Sequence, residues 1–142
     1  MYSDKLMARF LAPSHTGDIA DPDGVGVEGN VTCGDVVQLA VKVDGGLITE
    51  ATFRAQACAT AIAAADACCD LVLGATVTAA EVLELGDVSA VLDGFPEERE
   101  GCAAIGLGAL RSALEQVRAQ GSPRSRSREA TSGAVAGAAQ ET

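Results

Sequence analysis

At 142 residues, 48% of them hydrophobic, the chain has room for one globular domain around one core. A net charge of -10 does not suit a phosphate backbone, which needs clustered Lys and Arg, so no nucleic-acid partner is expected. No apolar run approaches the roughly 20 residues that span a bilayer, and the opening Met-Tyr-Ser-Asp-Lys lacks the charged-then-apolar layout of a signal peptide, so the expectation is a soluble cytoplasmic protein with no membrane partner.

The acidity is uneven. Through Gln120 there are 7 basic against 18 acidic residues, and beyond it 3 against 2. Such a domain suits a basic protein surface, although acidity also serves solubility alone. Aromatic residues make up only 3% with no Trp, so the core must be built from Val, Leu, Ile and Ala.

Ser3 is placed to cap a helix running to about Leu11, with Leu6 and Phe10 as its buried stripe and Pro13 beyond its end. The Gly-, Asp- and Pro-rich stretch from Gly17 to Asn30 reads as loop, with one short strand around Val25 to Val27. Val37, Leu39, Val41 and Val43 alternate with Gln38, Ala40 and Lys42, the period of a half-buried strand. Asp44-Gly45-Gly46 then makes a hairpin turn, and Leu47, Ala51 and Phe53 lie on the returning strand.

The period changes after that pair. Cys58 to Leu73 is Ala-rich without Pro or Gly and reads as a helix that Gly74 stops. Thr78-Ala79-Ala80-Glu81 has the form of a capping box, with Val77 and Val82 as its hydrophobic staple. A further short helix is expected over Val88 to Leu92. The last helix spans Cys102 to Ala119, with Ile105, Leu110, Leu114 and Val117 as its stripe and Gly106 and Gly108 weakening it by about 1 kcal/mol each unless close packing requires them. From Gly121 onward almost no large apolar residue remains, so residues 1–120 are expected to form the domain and 121–142 a disordered tail. Strands first and helices after argue an α+β fold, a small antiparallel sheet covered on one face by helices.

Five cysteines is an odd number, and in a reducing compartment metal binding, thiol chemistry and plain burial compete for them. Three stand at element junctions: Cys33, two residues before Asp35; Cys58, between strand and helix; and Cys102, at the start of the last helix. A helix N-terminus favours thiolate, so Cys58 and Cys102 are expected to have lowered pKa values. Three thiolates and the Asp35 carboxylate suffice for a 2Fe-2S cluster or for tetrahedral zinc, and spacing does not separate the two. The carboxylate would be the weaker ligand for iron and leave one corner easier to exchange.

Other candidates read more plainly. Cys68 and Cys69 sit mid-helix and are expected to be packing thiols. His15 is expected in an exposed polar loop, Asp66 on a solvated helix face, and Glu98 and Glu100 in a charged loop. The single His leaves no Ser-His-Asp set and no glycine loop opens a helix onto a phosphate, so no enzyme is expected.

Several segments in order resemble one family. They are Tyr2-Ser3 through Lys5, Met7, Phe10 and Pro13; Gly29-Asn30 with Cys33-Gly34-Asp35; the strand ending in Phe53; Cys58 with Ala61-Ile62-Ala63; and Cys102 leading an Ala/Leu helix. From Tyr2 to about Gln120 the chain resembles the iron-sulfur cluster assembly scaffolds of the NifU/IscU type. The resemblance implies a three-stranded sheet with helices and a nascent iron or 2Fe-2S cluster held by Cys33, Asp35, Cys58 and Cys102. It also implies a cysteine desulfurase as sulfur source and apo iron-sulfur proteins as acceptors. The matching positions depart from the family in Ala57 and Ala59 around Cys58, where Gly is frequent, and in Gly101 before Cys102, where His or Lys is common. Phe95-Pro96-Glu97-Glu98-Arg99 stands where one branch has a chaperone-gripped Leu-Pro-Pro-x-Lys segment, so chaperone interaction does not carry over. Two other readings stay beside the scaffold: a zinc-binding sulfur acceptor that activates a desulfurase, and a docking module without metal. The Ala- and Arg-rich composition points to a bacterial source.

Overall fold

The computed structural model describes residues 2–30 and 34–120. Cys33 and the tail 121–142 lie outside the described residues. The elements in chain order are α1 (Asp4–Leu11), β1 (Gly24–Asn30), β2 (Asp35–Asp44), β3 (Leu47–Gln56), α2 (Ala59–Val72), α3 (Val77–Glu81), α4 (Leu85–Leu92), a 3-10 turn (Glu97–Arg99) and α5 (Glu100–Ala119). The strands form one antiparallel sheet in the order β1-β2-β3.

Period two decides which face of the sheet is covered. Val37, Leu39, Val41 and Val43 of β2, with Ile48, Ala51 and Phe53 of β3, are buried in the core with α2 and α5. Val27, Val36 and Gln38 point the other way and are exposed. Each fully buried Leu or Phe contributes about 1.5–3 kcal/mol of transfer free energy. Gly45 and Gly46 have φ of 62° and 82°, the left-handed values that the tight β2–β3 turn demands.

The first strand is longer than its glycines suggest. Gly24 and Gly26 face the helical layer, and a Cβ there would lie 2.2 Å from the Ala113 carbonyl oxygen and 2.0 Å from that of Ala109. These glycines therefore mark the close approach of α5 to β1, a strand that extends on both sides beyond the expected Val25 to Val27. Gly106 serves the same end on the other side, since a Cβ there would lie 3.0 Å from the Ala65 Cα on α2. Its cost in helix propensity is accepted because the two helices cross there.

The caps show further differences. Ser3 caps α1 as expected, accepting a 3.0 Å hydrogen bond from the Leu6 amide, and its hydroxyl also donates to the Leu92 carbonyl. Leu6 is buried, but Phe10 is only half-buried and stays outside the core, where Tyr2 and Met7 pack instead. α3 is capped by Thr76, not Thr78, and Val82 is 71% exposed, so the expected staple does not form. The reason is tertiary: Arg118 of α5 binds the Glu81 carboxylate at 2.5 and 2.8 Å and reaches the Thr78 hydroxyl at 3.2 Å. α4 begins three residues earlier than expected, because Glu84 and Asp87 form a capping box.

Two polar residues expected in solvent are packed. Asp66 is buried on α2 and accepts three hydrogen bonds of 2.9 Å, from Arg9 Nη1 and from the amides of Ser14 and His15. Its carboxylate fastens the segment after α1 onto α2. His15 is correspondingly half-buried, with Nε2 2.6 Å from Asp70 Oδ1. Its carbonyl accepts from the Phe53 amide at 2.9 Å, so this segment also covers the outer edge of β3.

Candidate metal centre

Chain direction brings the junction residues to one end of the molecule. Asp35 opens β2, and Val36 pairs with Gln56 at the close of β3, so β3 delivers the chain to Cys58 beside Asp35. α5 runs antiparallel to β1: Gly108 lies against Glu28 and Ala113 against Gly24. Its first turn, with Cys102, therefore reaches the same end of the sheet. Gly34 has φ of 74°, a left-handed value that lets the chain turn into β2 immediately before Asp35.

One ligand atom each from Asp35, Cys58 and Cys102 lies within 4.8 Å of the other two. Thiolates at about 2.3 Å from a tetrahedral ion stand about 3.8 Å apart, so a small contraction suits the three to one metal vertex. Asp35 and Cys102 are buried and Cys58 is half-buried. Asp35 Oδ2 is buried without a hydrogen-bond partner among the described residues. An unpartnered buried carboxylate oxygen is costly, and a cation is one group that would satisfy it.

The electrostatics at Cys58 correct the expectation of a lowered pKa. Cys58 occupies the N-cap position of α2, yet its thiol pKa is raised. Burial is the main cause. The Ala61 amide pulls the other way, and hydrogen bonds with Asp35 and Cys102 add to the rise. The sulfur makes no capping bond of ordinary geometry, so the helix end is a weaker influence than desolvation. The raised pKa favours the thiol form of Cys58 near neutral pH.

Cys68 and Cys69 are core thiols, as the sequence suggested. Both are fully buried, and burial pushes Cys68 up to about 12 and Cys69 higher still. Glu98 and Glu100 are exposed, on the 3-10 turn and the first residue of α5. The residue that sequence reasoning passed over is Arg99, whose guanidinium pKa is raised, chiefly by Cys102 and then by the charges of Tyr2 and Cys58. Its spacing of three residues before Cys102, at a helix start, was the available signal.

The NifU-like N terminal domain model matches residues 1–122. The chain belongs to this family. The iron-sulfur cluster assembly scaffold proteins IscU 1 and IscU 2 of Archaeoglobus fulgidus are each 35% identical to it over 114 residues, 80% of this chain and 74% of theirs. The corresponding scaffold protein of Aquifex aeolicus is 31% identical over 116 residues, again 80% and 74%. The crystal structure of a nitrogen-fixing NifU-like protein (N-terminal) from Brucella abortus superposes with a TM-score of 0.67 at 20% identity, covering 83% of this chain and 94% of that one. The α+β architecture, a three-stranded antiparallel sheet with helices, is thus the NifU-like fold. Among the described residues no helix is long and apolar enough to cross a membrane.

Proposed function

We propose that the chain is an iron-sulfur cluster assembly scaffold in which Cys33, Asp35, Cys58 and Cys102 hold a 2Fe-2S cargo. Sulfur comes from a cysteine desulfurase, and the finished cluster passes to apo iron-sulfur acceptors. Residues 1–120 form the working unit, with 121–142 outside it. The observation that carries this reading is the convergence of Asp35, Cys58 and Cys102 within 4.8 Å, with Asp35 Oδ2 buried and unpartnered. Cys33 stands two residues before Asp35 in sequence and supplies the third thiolate. The scaffold names of the relatives agree with this assignment.

Asp35 supplies the exchangeable corner. Thiolates bind iron more firmly than a carboxylate does, so the oxygen ligand leaves first and admits an acceptor's cysteine. Protons of the ligand thiols are released as iron arrives, which couples loading to their deprotonation.

Anaerobic reconstitution with ferrous iron, cysteine and a desulfurase tests the reading. Iron and acid-labile sulfide should co-purify with the chain; one zinc per chain without sulfide would overturn the assignment. Asp35→Ala, at equal initial loading, should hold its cluster longer and pass it more slowly to an apo-ferredoxin. Unchanged transfer would remove Asp35 from the mechanism.

A further inference from the structure

Two of the converging side chains are thiols from distant parts of the chain. The sulfurs of Cys58 and Cys102 lie within 4.8 Å of each other. A disulfide needs about 2.05 Å between them, a gap that side-chain rotation and a small backbone shift can close. The two residues differ in what they can yield. Cys102 sits in the first turn of α5, one turn before Gly106, where the absence of a Cβ lets α5 lie against Ala65 of α2. Cys58 is the N-cap of α2, with extended backbone and no capping bond of ordinary geometry from its side chain, so its sulfur can turn without costing the helix a hydrogen bond.

Exposure differs in the same sense. Cys58 is half-buried, whereas Cys102 is 2% exposed. A small oxidant therefore meets Cys58 first and leaves Cys102 as the neighbour that resolves the product. Cys68 and Cys69 are fully buried in the body of α2, out of reach of the same reagent.

We propose that Cys58 and Cys102 form a peroxide-responsive dithiol, which closes to a disulfide when the chain carries no metal and reopens under a dithiol reductant. In the first step the Cys58 sulfur takes a hydroxyl from hydrogen peroxide and its proton leaves with the other oxygen as water. The Cys102 sulfur then attacks that sulfenic acid: the S–S bond forms, the S–O bond breaks, and hydroxide departs with the Cys102 proton as a second water. Two electrons pass from the two sulfurs to the peroxide, and a dithiol returns them with two protons. Burial favours the thiol form of Cys58, so the first step is slow near neutral pH. The second is intramolecular and outpaces attack by another peroxide. Closure therefore keeps Cys58 from the sulfinic state, which thiols do not reverse. The bridge stands on the geometry of these two residues, and its consequence for cargo rests on the scaffold reading: a bridged pair has no thiolate to give a metal, so loading stops until the pair is reduced.

The test uses the full chain, purified reduced and metal-free, treated with hydrogen peroxide, alkylated and mapped by mass spectrometry. A peptide linking Cys58 to Cys102 should be the main product, with Cys68 and Cys69 still thiols and circular dichroism unchanged. Cys102→Ser should stop at the Cys58 sulfenic acid, trapped by dimedone, and Cys68→Ser should bridge as wild type does. The bridged chain should load no cluster from ferrous iron and sulfide, and dithiothreitol should restore loading. Oxidation that leaves Cys102 alkylatable, or that joins either sulfur to Cys33 or to a second chain instead, would overturn the proposal and leave the scaffold reading in place. A bridge that forms in a chain whose reduced form holds neither iron nor sulfide would overturn the scaffold reading and leave the dithiol standing.

Discussion

Two regions of one helix put the same residue type to opposite uses. At the N-terminal end of α2, Cys58 is half-buried, faces Asp35 and Cys102, and has polar partners that an incoming cation can replace. Near its middle, Cys68 and Cys69 are sealed in the core beside Ala64, Ala65 and Val72, with no carboxylate or thiol set converging on them among the described residues. Asp66, also in the middle, has every bond it needs. What separates the proposed ligand thiol from the packing thiols is convergence of elements at a sheet end, where Asp35 Oδ2 is left buried without a hydrogen-bond partner among the described residues.

The largest test of that contrast is loss of cargo. Cys33→Ser, Cys58→Ser or Cys102→Ser should each abolish retention of iron and sulfide, since a hydroxyl is a far poorer ligand for iron than thiolate. Folding should survive, with circular dichroism near that of wild type. If Cys68→Ser emptied the site while Cys58→Ser left it loaded, the two regions would have been assigned the wrong way round.

Asp66→Ala should reverse the pattern. It strands two backbone amides and removes the buried partner of Arg9, whose side chain is 24% exposed. A loss of about 2–4 kcal/mol in denaturant unfolding is expected, below the cost of a fully buried pair because Arg9 retains solvent and Asp70. Cluster loading per folded molecule should be unchanged.

Cys68→Ser comes next, at about 1–3 kcal/mol, because it places a hydroxyl in an apolar site. Its melting temperature should fall while its loading stays at the wild-type level. A melting temperature equal to wild type would mean that the middle of α2 is less tightly sealed than its burial indicates.

The smallest effect is the acid limb of stability. Burial pushes the Asp70 carboxyl up, but hydrogen bonds from His15 and Arg9 outweigh it and leave its pKa below the ordinary value. A depressed folded-state pKa contributes stability above the unfolded value of about 3.9, lost as pH falls through the folded one. Asp70 is 43% exposed, so screening limits the contribution to a few tenths of a kcal/mol. The gap in melting temperature between wild type and Asp70→Asn should be present at neutral pH and close in strong acid. A gap that widened on acidification would contradict the sign.

Local signals carried much of this protein. The alternation from Val37 to Val43, the paired glycines after Asp44, the Ser3 cap and the Pro- and Gly-free run before Gly74 each act over a few residues, and each specifies the element the structure contains. The positions of Cys58 and Cys102 at helix starts were legible for the same reason. Tertiary contact decided the rest. Gly24 looks like a loop residue until α5 lies on it, Glu81 looks like a cap until Arg118 takes its carboxylate, and Asp66 looks solvated until the segment after α1 folds over it. The raised pKa of Cys58 belongs to that second group, because desolvation depends on what packs against a side chain, which no window of neighbouring residues contains.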